Sequence, residues 1–243
     1  MKKFPILLAA AALSFAHADV TDLLKQGAEA LSSSRSGDYK SLLASATNRA
    51  VAELSKGYVH SKIAKIELPA SLKAAAKLAR KVGGDKWERQ LVENMNDAAT
   101  KAVGGASKVF LTHLRSMSDA EIKKLLSGGD TALSDHLQSK SGGELKKIFR
   151  PIVSDMMSKN SFATAYNGLN SFAQSKIAGN GAVQSIAHGL GASEYLPKQG
   201  EDLNDYITQK TLDGLFAVMK QKERALRGST VGKGAEILGK VLK

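Results

Sequence analysis

The sequence contains no cysteine, which excludes disulfide bonds, a thiol nucleophile, thiolate metal sites and covalently attached haem. The fold must therefore be held by core packing. Aromatic residues make up only 5% of the chain, prolines number four, and strand-like runs of β-branched residues are lacking. Alanine, leucine and lysine are plentiful, and these residues favour helices. The composition predicts an all-α protein.

The longest apolar run stands at the N-terminus. Lys2 and Lys3 precede the run over residues 6–15, and Ala16-His17-Ala18 supplies a small-residue cleavage site. This layout is typical of a secretory signal peptide, and the run is shorter than the roughly 20 residues that a membrane-spanning helix needs. We expect cleavage after Ala18, no lipid anchor and no transmembrane segment in the mature chain. The expected location is periplasmic or secreted.

The chain is basic, with a formal net charge of +12. Loss of Lys2 and Lys3 with the signal peptide leaves about +10, a charge that attracts phospholipid headgroups, lipopolysaccharide or polyanionic glycans. Nucleic acid is a poor candidate partner for an exported protein. Lysine and arginine occur in nearly every segment, so dispersed solvated charge is the simpler interpretation and a dedicated polyanion site is the alternative.

Apolar periodicity divides the mature chain into helices without a fixed repeat. We expect a signal peptide over 1–18, an N-terminal helix and linker over 19–37, and a single irregular helical bundle over 38–243. Asp38 is the expected N-cap of the first bundle helix. The glycine-rich segment over residues 179–201 is predicted to be the main loop.

Three segments carry capping-box patterns that predict helix starts. They are Asp85 with Glu88, Ser118 with Glu121, and Ser141 with Glu144. Pro69 should open another helix, Pro151 should kink one, and the segment between 58 and 68 should be a partly extended connector.

Several stretches in order resemble the bacterial domain-of-unknown-function 4197 family. They are Lys65-Ile66-Glu67-Leu68-Pro69-Ala70-Ser71-Leu72, Glu93-Asn94-Met95-Asn96-Asp97-Ala98-Ala99, Ser127-Gly128-Gly129-Asp130-Thr131-Ala132, Phe149-Arg150-Pro151-Ile152-Val153, Tyr166-Asn167-Gly168-Leu169 and 203–216. The last block is the most specific, because helical packing alone does not demand its polar order. The loop over 179–190 and Asn204 depart from the family pattern. The resemblance implies a helical exported protein and brings no activity, cofactor or catalytic residue.

The strongest candidate site lies in that last block. At helical spacing Asp205, Gln209 and Asp213 share one face. Tyr206, Lys210 and Asp213 share an adjacent face. Such a face could bind a polar ligand, with Asp205 or Asp213 as a base and Lys210 as an anion clamp. The simpler interpretation is a ladder of Asp–Lys ion pairs beside an apolar stripe.

A second acidic group lies within one turn of an earlier predicted helix. Glu93, Asn96 and Asp97 could contribute to a metal site if a second carboxylate pair lay nearby. The Glu-x-x-His motif of di-iron bundles is missing, and the histidines lack helical partners, so we predict no metal and no cofactor. These histidines are expected at the surface or at caps: His60, His113, His136 and His188.

A third candidate is the glycine turn before Asp130 and Thr131. Gly128 and Gly129 could form an anion-binding nest at a helix N-terminus. The simpler interpretation is a glycine C-cap followed by Asp130 as the next N-cap.

The leading functional hypothesis is a binding or interaction module at the cell envelope, with an apolar ligand, an anionic surface or an envelope protein as its partner. The alternative is a metal-dependent or acid/base hydrolase, which requires the acidic faces at 205–213 and 93–97 to converge. A third possibility is a purely structural envelope protein. The sequence favours binding over catalysis.

Overall fold

The computed structural model describes residues 35–81, 84–179 and 203–230. The predicted signal peptide, its Ala18 cleavage site, the helix expected after it, most of the loop predicted over 179–201 and the C-terminal end lie outside these ranges. His188 also lies outside them.

The described residues form eight α-helices and no strand, which confirms the all-α prediction. None of these helices is long and apolar enough to cross a membrane. In chain order they are α1 (Arg35–Leu54), α2 (Ala70–Lys81), α3 (Asp85–Val103), α4 (Ala106–Ser116), α5 (Asp119–Leu126), α6 (Ala132–Met157), α7 (Asn160–Gly179) and α8 (Leu203–Thr230).

One predicted capping box is present as expected. At the start of α5, the Glu121 amide donates to Ser118 Oγ at 3.3 Å, and the Ser118 amide donates to Glu121 Oε2 at 2.8 Å. The Ser118 amide, followed by the Ser118 hydroxyl, donates to the Glu121 carboxylate and lowers its pKa. The local pattern sufficed here because both partners lie within one turn.

The other predicted N-caps are wrong. Ser141 lies buried inside α6, where its hydroxyl donates to the Leu137 carbonyl at 2.5 Å, because α6 runs through this segment without a break. Helix α3 begins at Asp85 as predicted, but Asp85 makes no capping hydrogen bond and pairs with Arg89 instead. Asp38 lies inside α1, which begins at Arg35. The helix predicted to open at Pro69 is confirmed, since α2 begins at the next residue, and Pro151 lies within α6.

Helix α8 packs against α6, α1 and α3. It runs antiparallel to α6, since Asp205 pairs with Arg150 at one end and Lys220 with Asp135 at the other. Its core residues are buried, and Phe216 meets the Phe110 ring of α4 edge to face at 6.0 Å. Helix α3 packs between α6 and α7.

The connector, residues 55–69 between α1 and α2, contains a short 3₁₀ turn at Tyr58–His60 and no extended strand. Gly57 opens that turn at a φ of 138°, in the region that favours glycine. Tyr58, Ala64, Ile66 and Leu68 are buried, so the connector forms part of the core.

Gly214 of α8 should resist substitution because the connector crosses it closely. A Cβ at this position would lie 2.8 Å from Ala64 Cβ and 3.1 Å from Ala64 Cα. Gly214→Ala should therefore lower the unfolding free energy by roughly 1–3 kcal/mol despite alanine's better helix propensity. Urea unfolding measures this loss. Gly142→Ala in α6 is the matched control, since nothing lies within 4 Å of its Cβ; equal losses would contradict the packing argument.

Candidate functional site

The first two residues of the predicted α8 site form hydrogen bonds to neighbouring elements. Asp205 Oδ1 accepts a hydrogen bond from Arg150 Nε of α6 at 2.7 Å, and this contact lowers the pKa of the Asp205 carboxyl. The Tyr206 hydroxyl donates to the Glu67 carbonyl of the connector at 2.9 Å. Both side chains therefore link α8 to other parts of the fold.

The remaining residues of this face bond to one another. Gln209 Nε2 donates to Asp213 Oδ1 at 2.9 Å, and Lys210 Nζ lies 3.8 Å from Asp213 Oδ2. The Lys210 ammonium also lies 5.9 Å from the centre of the Tyr206 ring. Gln209, Lys210 and Asp213 are exposed. One Asp–Lys pair of the simpler interpretation is therefore present, between Lys210 and Asp213, whereas Asp205 pairs with Arg150 of α6.

The α3 candidates separate into one buried amide and two exposed carboxylates. Asn96 is fully buried; its Oδ1 accepts from the Ile66 amide at 2.8 Å, and its Nδ2 donates to the Ile66 carbonyl at 2.9 Å. Glu93 and Asp97 face solvent. The Asn96 side chain thus bonds to both the amide and the carbonyl of Ile66, as the backbone of a neighbouring strand would.

The described residues contain no group of three or more histidine, aspartate or glutamate side chains that could hold a metal ion. His60 is exposed, while His113 and His136 are half-buried. His113 Nε2 lies 3.2 Å from Glu144 Oε2 of α6. The acidic residues of α3 and α8 therefore do not assemble a three-ligand site.

The glycine turn before α6 differs from its prediction. Asp130 is exposed and is not the N-cap; Thr131 occupies the cap position but makes no capping bond. The Thr131 hydroxyl donates to Asp135 Oδ2 at 2.7 Å instead. The prediction failed because the amides at this helix start bind a residue from a distant helix.

That residue is Glu223 of α8, which sequence analysis missed. Its carboxylate is 3% exposed and accepts hydrogen bonds from the Leu133 amide at 3.0 Å and the Ser134 amide at 2.9 Å. The Ser134 hydroxyl also donates to it at 2.7 Å. Glu223 therefore accepts hydrogen bonds from amides at the start of α6, as an N-cap side chain does, although it lies on a different helix.

Arg227 completes this arrangement one turn later on α8. It lies 2.8 Å from Glu223 Oε1 and donates to the Leu125 and Leu126 carbonyls, which end α5, at 2.8 and 3.0 Å. We call the pair the Glu223–Arg227 clasp. Each charge meets the helix end that it stabilises, a carboxylate at an N-terminus and a guanidinium at a C-terminus. A signal was present in the sequence: Glu223 falls on the apolar stripe of α8.

Low pH should weaken the contact between α8 and the start of α6. A hydrogen bond from Lys220 at 2.8 Å, followed by one from Thr131, lowers the pKa of the Asp135 carboxyl from its usual 3.8. The folded pKa is depressed, so the stabilisation is present above the unfolded pKa and is lost as pH falls through the folded value. Melting temperatures measured below about pH 4 should fall less steeply for Asp135→Asn than for the wild type. Parallel slopes would contradict the assignment.

Comparison with known proteins gives a family but no activity. No curated protein and no solved structure matches the chain. The family model described as "Protein of unknown function (DUF4197)" matches residues 31–243. The match includes every candidate residue discussed above and all of α1 to α8. The chain therefore belongs to the DUF4197 family, as the sequence blocks indicated.

Proposed function

We propose that this protein is an exported binding module that associates with the anionic phospholipid surface of the cell envelope. The observation that carries the proposal is the charge of its outer surface. In the described ranges, exposed lysine and arginine side chains outnumber exposed aspartate and glutamate by about two to one. Such an excess attracts a surface of negative headgroups.

The roles of the polar candidates also favour binding over hydrolysis. Asn96 and Tyr206 bond to the connector backbone, and Asp205 bonds to Arg150. A general base must reach the proton that it abstracts, and these groups are directed into structural contacts instead. The hydrolase alternative has no comparable support in the described residues.

Vesicle co-sedimentation tests the proposal directly. We expect the mature protein to bind vesicles of phosphatidylcholine mixed with phosphatidylglycerol, and not vesicles of phosphatidylcholine alone. Binding should weaken steeply with salt, because the screening length falls from about 10 Å at 0.1 M to about 3 Å at 1 M. Absence of binding, or equal binding to both vesicles, would contradict the proposal and favour a purely structural envelope protein.

A further inference from the structure

The connector is anchored on two sides by hydrogen bonds from the bundle. The Tyr58 amide donates to Thr100 Oγ1 of α3 at 2.9 Å, and the Tyr58 hydroxyl donates to the Thr211 carbonyl of α8 at 2.8 Å. Asn96 and Tyr206 hold the backbone at Ile66 and Glu67. The segment between these anchors is therefore presented on a fixed base.

The connector tip, residues 61–65, lies between these anchors and has mostly exposed side chains. Ile63 is 47% exposed and is the exposed large apolar residue among the side chains that the structure describes. Lys62 and Lys65 beside it are exposed, and Lys65 Nζ lies 3.6 Å from Glu67 Oε1 at the surface. Next to Ile63, Ala64 turns inward against Gly214. The tip thus presents one apolar side chain between two cations.

We infer that the connector tip is the element that enters the membrane, with Ile63 inserted at the level of the headgroups and Lys62 and Lys65 on the phosphates. This inference rests on the proposed function and identifies the part of the protein that contacts the membrane. Lysine stems extend along an apolar surface while their ammonium groups stay at the polar boundary. Stable attachment of a peripheral protein takes two signals, and here they are one apolar anchor and the basic surface.

The size of the tip favours a lipid surface over a protein partner. A stable protein interface buries roughly 800 Å² on each partner around a cluster of large anchors. A single isoleucine between two lysines offers far less, whereas it suffices for shallow insertion that electrostatic attraction supports. The fixed backbone also means that little conformational entropy is lost on insertion.

A site-specific label tests insertion itself. Because the chain has no cysteine, Ile63→Cys provides a single attachment point for an environment-sensitive fluorophore. Anionic vesicles should shift its emission to the blue and raise its intensity. Ser139→Cys, an exposed position on α6, is the control and should give no shift. A silent label at position 63 on vesicle-bound protein would overturn the inference.

Binding by variants distinguishes the contribution of the connector tip from that of the overall positive charge. Ile63→Ser and the pair Lys62→Gln/Lys65→Gln should each weaken vesicle binding by about tenfold or more. The pair Lys123→Gln/Lys124→Gln on α5 removes the same charge from exposed positions and should weaken it less. All of these side chains are exposed, so melting temperatures should stay unchanged. If the wild type binds and both lysine pairs lose equally, the tip inference fails and the proposed function stands. If the wild type binds neither vesicle, both fail.

Discussion

Replacing Glu223 by alanine should destabilise the protein by roughly 3–5 kcal/mol. The substitution removes the acceptor for two amides at the start of α6 and leaves the partly buried guanidinium of Arg227 without its carboxylate. Removal of one partner from a buried ion pair is costly because the other charge stays desolvated. Urea unfolding monitored by circular dichroism measures the effect.

The matched control for Glu223 is a glutamate at the surface. Glu53 of α1 pairs with Lys222 of α8, and the side chains of these two residues are 41% and 30% exposed. Glu53→Ala should therefore cost less than about 1 kcal/mol. Glu223→Gln, which keeps an acceptor oxygen, should fall between the two. A double Glu223→Ala/Arg227→Ala variant should lose less than the sum of its single changes. If Glu223→Ala is no worse than Glu53→Ala, the clasp does not stabilise the junction of α5, α6 and α8.

The second large effect is expected at Asn96. Asn96→Ala should lower the unfolding free energy by roughly 2–4 kcal/mol, because the Ile66 amide and carbonyl would both be buried without a partner. Glu93→Ala, at an exposed position of the same helix, is the control and should be close to neutral. The same urea experiment compares the two variants.

Asn96→Asp distinguishes this account from a simple loss of packing volume. The carboxylate keeps an acceptor for the Ile66 amide but loses the donor to the Ile66 carbonyl. Burial disfavours its charged form, so the variant should become more stable relative to the wild type as pH falls and the carboxyl gains a proton that it can donate. A stability difference that does not change with pH would contradict this reading of the contact.

Sequence patterns predicted those parts of the fold that short-range interactions determine. The Ser118 box involves residues within one turn of each other, and the structure contains it. The all-α class was also predicted correctly, from the amino-acid composition.

Contacts between distant residues could not be predicted. Glu223 caps α6 from 89 positions away in the chain, whereas Asp130, which stands beside that helix start, caps nothing. The polar order of the α8 block, residues 203–216, had no packing reason in the sequence, yet the structure supplies one. Tyr206 bonds to the connector, and Gly214 leaves room for Ala64. Of the candidate residues on α8, Asp205 and Tyr206 bond to other elements of the fold, a role that the sequence did not indicate.

The anchoring of the connector by α8 has a consequence for how the chain folds. The hydrogen bond from Tyr58 to Thr211 joins residues 153 positions apart, and that from Tyr206 to Glu67 joins residues 139 positions apart. Contacts of such long separation make folding slow, because a large loop must close before they form. These bonds to the connector cannot form until α8 is in place. A chain that ends before residue 203 would therefore leave Tyr58 and the connector without two of their anchors, and the native state can be completed only after α8 is available.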